Sequence, residues 1–110
     1  MPRTENKLTP KVIGDMLYHE SGGIAVGSPE WYTWLEQEEN KVFYVELQAG
    51  TFTARREPRR SGGLHKYYWY AYRQKGHKLC KAYLGTPRQL TLTRLVNAAQ
   101  QITEKFEALS

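Results

Sequence analysis

His77 and Cys80 stand three residues apart in "GHKLC", a spacing at which two side chains can share a zinc ion. A structural zinc site needs four ligands, and only His19 and His65 remain to complete one, so no metal is expected. Cys80 as a nucleophile would need a neighbouring base and a lowered thiol pKa. Its alternation with Ala82 and Leu84 places it on an apolar strand face instead. Glu36, Glu38 and Glu39 read as a solvated helix end, and the glycine pairs Gly22-Gly23 and Gly62-Gly63 have neither Walker nor Rossmann spacing. No enzyme, no cofactor and no small-molecule substrate are expected.

A different chemistry is concentrated between residues 51 and 84. That segment carries nine Lys/Arg against Glu57 alone, a net +8, whereas residues 1–50 sum to −4 and residues 85–110 to +1. Within it, "KYYWYAYRQKGHKLCKAYLG" interleaves aromatic rings with cations around a glycine turn. Charge segregated in this way suits a polyanion. Cations meet phosphates, arginine meets guanine edges, and aromatic rings meet sugars and bases.

The elements that must position these groups can be read from periodicity. A chain of 110 residues fits one domain. Residues 1–8 should fray. "LTPKVIGDMLYHESGG" is expected as a short helix capped by Thr9, with Val12, Ile13, Met16 and Leu17 on one face. "SPEWYTWLEQEE" repeats the start signal with Ser28 as cap and Pro29 next, and should bury Trp31, Trp34 and Leu35; residues 9–40 thus read as short helices. From Lys41 the period shifts to two. Residues 41–84 read as an antiparallel sheet of three to four strands in a meander, with hairpins at Gln48-Ala49-Gly50 and Lys75-Gly76 and a loop at "PRRSGG". Residues 91–109 form one long amphipathic helix, whose Leu92, Leu95, Val96, Ala99, Ile102, Phe106 and Leu109 must cover the sheet. The fold class is therefore α+β: a small meander on one C-terminal helix, with one or two short N-terminal helices.

Alternation then sorts the sheet faces. Cys80, Ala82 and Leu84 face the helix, with Phe52 and Ala54; Lys81, Tyr83, Thr53 and Arg55 face out. In "YYWYAYR" the choice rests on Arg73, which should stay wet, so Trp69 and Arg73 are placed outward and Tyr70 and Tyr72 inward. The expected contact surface is Arg55, Trp69, Arg73, Lys81 and Tyr83, with Arg56, Arg59, Arg60, Lys75 and Lys78 on adjoining loops or edges.

The stretch "YWYAYRQKGHKLCKAYLGTPRQLTLTRLVNAA" resembles the three-strand-plus-helix DNA-binding domain of plant ethylene-response factors and of the arm-binding domains of tyrosine recombinases. The shared pattern is a basic strand, a glycine turn, a strand ending in "KAYLG" and an alanine-rich amphipathic helix, over roughly residues 51–105. The chain is also similar to a module ahead of the ATPase in some LuxR-type regulators, with "TFTARRE", "YYWYAYR" and "YLG…LTLTRL" in the same order. The first resemblance implies that the sheet lies in the major groove, with Arg73, Lys81 and Tyr83 at base or phosphate contacts and Arg55 a looser match. Ala71, where the family often has an acidic or polar residue, and the longer basic loop Pro58 to His65 depart from it.

The expectation is a double-stranded DNA-binding protein, a small transcriptional regulator or mobile-element accessory factor, with a homodimer through the N-terminal helices as a further possibility. It should be cytoplasmic, and nucleoid-associated in a bacterium: there is no membrane-spanning apolar run, no secretory apolar stretch, and a single cysteine. Two alternatives stand beside it. One is a single-stranded DNA or RNA binder stacking bases on Trp69 and Tyr83. The other is a protein-interaction module that engages an acidic partner through Trp31, Trp34 and the C-terminal helix.

Overall fold

A computed structural model describes residues 9–20, 22–58 and 67–109. The expected first helix is not there. In its place stand β1 (Lys11–Ile13), β2 (Met16–His19) and β3 (Gly22–Ala25). Val12 pairs with Leu17 across the β1–β2 hairpin, and both are fully buried. Apolar residues at 12, 13, 16 and 17 fit a helix face, but they equally fit two strands folded about a two-residue loop. Gly14-Asp15 is that loop, with Gly14 at φ +64°, the glycine-first chemistry of a type II′ hairpin.

The second helix forms as its signals require. α1 (Pro29–Glu36) begins at Ser28, whose hydroxyl accepts from the Trp31 amide at 3.3 Å, and it buries Trp31, Trp34 and Leu35. Then come β4 (Val42–Leu47), β5 (Gly50–Pro58), β6 (Tyr67–Lys75) and β7 (Lys78–Gly85), a short 3-10 turn at Pro87–Gln89, and α2 (Leu92–Leu109). Thr91 caps α2, its hydroxyl accepting from the Arg94 amide at 3.1 Å.

The fold is α+β, with a larger sheet than three to four strands. Seven strands run in the order β3-β2-β1-β4-β5-β6-β7. All neighbours are antiparallel except β1 and β4, so the four-strand meander is extended by a three-strand N-terminal piece docked in parallel.

Both helices lie on one face. Phe43, Ala54, Ala71 and Ala82 form one cross-strand row on that side, in which three small residues leave room for a helix. α2 fills the space with Leu95, Ala98, Ala99, Ile102 and Phe106, all buried. It seats closely on the β4–β5 turn: Thr103 Oγ1 donates to the Ala49 carbonyl at 3.0 Å, and a Cβ on Gly50 (φ +152°) would strike that same hydroxyl. α1 closes the other end, with Trp31 edge-on to Phe43 at 5.5 Å and its indole N–H donating to the Leu90 carbonyl at 2.7 Å.

Arg56 belongs to this helix layer, not to a contact surface. Its guanidinium donates to the carbonyls of Leu35 (3.4 Å), Gln37 (3.1 Å) and Glu38 (2.9 Å), at the C-terminal end of α1 where unsatisfied carbonyls and the helix dipole attract a cation. Arg56→Met keeps the aliphatic stem and removes those bonds. It should lower stability by about 1–2 kcal/mol in urea unfolding.

Candidate nucleic-acid interface

Strand alternation sends every second side chain of the sheet away from the helices. Among the described residues no helix packs on that face. It carries six of the eight tyrosines: Tyr18 on β2, Tyr44 on β4, Tyr68, Tyr70 and Tyr72 on β6, and Tyr83 on β7. One row crosses six strands in register, Tyr18–Lys11–Tyr44–Thr53–Tyr72–Lys81. At about 4.8 Å per strand it is roughly 24 Å wide. A second row, Arg55–Tyr70–Tyr83, lies beside it.

The rings are held by one another and by cations. Tyr83 meets Tyr70 at 5.5 Å and Tyr68 at 5.7 Å, both edge-to-face. The Lys81 ammonium lies 4.4 Å from the Tyr70 centroid and 5.4 Å from that of Tyr72, and Lys11 lies 5.6 Å from Tyr44. Lys81 also pairs with Glu57 at 3.4 Å, and the Tyr72 hydroxyl donates to the same carboxylate. Lys11 pairs with Glu46 at 3.9 Å. Among the described residues Arg55, exposed on this face, has no ion-pair partner.

The sequence-expected surface is therefore redistributed. Arg55, Lys81 and Tyr83 do come together on the open face. Lys75 and Lys78 flank the β6–β7 hairpin loop, both exposed. Trp69 does not belong: it is fully buried against Phe43 at 5.1 Å. Arg73 is on the helix side as well, half-buried, with its guanidinium 5.3 Å from the Phe106 ring. The inward placement of Tyr70 and Tyr72 is reversed accordingly. Arg73 need not face solvent squarely, because an arginine near a strand end can lay its stem along the core and let its head emerge beside α2. Arg59 and Arg60, like the fraying expected at residues 1–8, lie outside the described residues.

Tyr18, Tyr44, Tyr68, Tyr70, Tyr72 and Lys11 were missed as surface residues. A signal existed for Tyr44, since Phe43 and Val45 on either side of it are apolar core residues. For β6 it lay in the chemistry: three phenol hydroxyls in a core would each need a partner, whereas one indole needs a single one.

His77 sits exposed in the hairpin loop while Cys80 faces the core, so the H-x-x-C pair does not converge. No described helix is long and apolar enough to cross a membrane. The N-terminal surface considered for dimerisation takes another form, since β1 and β2 replace one helix and α1 turns its tryptophans into the core. Comparison of the chain with protein-family models, with curated proteins and with solved structures finds no match.

Proposed function

We propose that this chain binds nucleic acid on the open, tyrosine-rich face of its sheet, and that its ligand is single-stranded. The carrying observation is the in-register row of tyrosines and lysines across six strands. Flat rings on a rigid floor accept bases of any sequence by stacking, and neighbouring cations meet the backbone. Width argues against a duplex on this face. The major groove, about 12 Å across, admits a two-stranded ribbon, and a floor roughly 24 Å wide does not fit inside it. With Trp69 in the core, stacking passes from the indole to Tyr44, Tyr70, Tyr72 and Tyr83.

Fluorescence anisotropy with an oligothymidylate strand and with a duplex of equal length, over a salt series, tests this reading. The single strand should bind more tightly. Its log affinity should fall with log salt at a slope near −2, if Arg55, Lys11 and Lys81, the cations of this face, each neutralise one phosphate at about −0.7 apiece. Preference for the duplex would restore groove reading through the β6–β7 hairpin. Salt-independent or absent binding to both would turn the tyrosine face over to a protein partner.

A further inference from the structure

Within the open face one position differs from its surroundings. Thr53, at the centre of β5, is directly opposite Tyr44 on one side and Tyr72 on the other; Tyr44 is opposite Lys11 and Tyr72 opposite Lys81. The row reads Lys–Tyr–Thr–Tyr–Lys, with the small residue in the middle and the cations on the outer sides. A depression of about 420 Å³ is lined here by Tyr44, Thr51, Thr53, Arg55, Tyr72 and Gln74, together with Phe52, Arg73 and Leu79. That volume lies within the range of about 300–1,000 Å³ usual for small-ligand sites.

We infer that this depression is a subsite for one unstacked nucleobase, with Arg55 receiving the adjoining phosphate; the inference rests on the single-strand reading above. Two strand steps separate the backbones of Tyr44 and Tyr72 by about 9.6 Å. A flat ligand between two rings needs two contacts of about 3.5 Å, or about 7 Å in all. Threonine leaves that gap unfilled, where a leucine or an aromatic residue would close it. The walls are fixed before a ligand arrives: the Tyr72 hydroxyl is held by Glu57, its ring is engaged by Lys81, and Lys11 engages Tyr44. Preorganised rings lose little freedom on binding. The Thr51 and Thr53 hydroxyls and the Gln74 amide can each donate or accept, so they satisfy a base edge without selecting one base. Arg55, exposed on this face and with no ion-pair partner among the described residues, completes the set.

Thr53→Leu, which fills the gap, and Thr53→Ser, which keeps it open, separate this subsite from general stacking on the face. With oligothymidylate as the probe, Thr53→Leu should weaken binding about 5- to 150-fold, the loss expected for one stacked base, while Thr53→Ser stays within about 2-fold of wild type. Arg55→Gln should flatten the log–log salt slope by about 0.7. Matching thermal melts for all four proteins establish that the fold is retained, as expected for an exposed-face position. Should wild type bind the strand while Thr53→Leu binds equally well, the subsite is overturned and the broader reading stands. Should wild type bind no strand at all, both fall together.

Discussion

Trp31→Phe is expected to destabilise the protein by about 2–5 kcal/mol, clearly more than the chemically identical change Trp69→Phe. Both indoles are fully buried, so the loss of volume is comparable and costs about 1–2 kcal/mol in each case. They differ in the fate of one hydrogen. The Trp31 N–H donates to the Leu90 carbonyl across 59 residues of chain, tying α1 to the segment that precedes α2. Removing it strands a buried acceptor, which adds about 1–3 kcal/mol. Among the described residues the Trp69 indole nitrogen has no hydrogen-bond partner. Removing that donor relieves a desolvated polar group and offsets part of the cavity cost. Urea midpoints at unchanged slope measure the difference directly. Equal costs, or a larger one at Trp69, would mean that the Trp69 N–H is satisfied after all.

The largest effect on binding is expected from Tyr70→Leu combined with Tyr83→Leu. The two rings are a directly paired cross-strand couple packed edge-to-face, so each supports the other's orientation. Removing both flat surfaces while keeping apolar cover should reduce affinity for a single strand by about 30- to 10,000-fold, two stacking surfaces at about 1–3 kcal/mol each. The effect will not be the sum of the single changes, because the rings touch. Stability should fall by about 0.5–1.5 kcal/mol through loss of the aromatic pair. Tyr67→Leu is the matched control: Tyr67 is on the helix side of the same strand, with the Arg56 guanidinium 4.4 Å from its ring, and its loss should leave affinity unchanged. A drop of the same size at Tyr67 would show that instability, not a lost platform, explains both.

How much of this was legible follows from how unambiguous each local signal is. Ser28-Pro29 with a tryptophan at the third helical position, and the three- and four-residue steps from Leu92 to Phe106, have no good strand interpretation, and both helices stand where they were read. The hairpins at Gln48-Ala49 and Gly76 carried turn chemistry and alternating flanks. Val12, Ile13, Met16 and Leu17 satisfied two periods at once, and only the partner strand β4, 30 residues on, decides between them by offering an edge for β1. On β6, alternation fixed which residues share a face but not which face is inside. That was decided by three phenols against one indole, and by the small residues Ala54 and Ala82 that flank Ala71. The open face was thus legible at Arg55, Lys81 and Tyr83, whose strands carried clear apolar alternates. It was inverted at Tyr70 and Tyr72, whose strand did not.

Stacking of a single strand on the open face makes a direct spatial demand: the strand must perturb the rings of that face and leave the helices untouched. Titration of isotopically labelled protein with a short pyrimidine strand, followed by amide and tyrosine-ring chemical shifts, measures it. The shifts should be largest at Thr53, Arg55, Tyr70, Tyr72, Lys81 and Tyr83, and near zero along α1 and the buried side of α2. Shifts confined to the helices, or none at a strand concentration that saturates the anisotropy signal, would contradict the assignment of the tyrosine face as the binding surface.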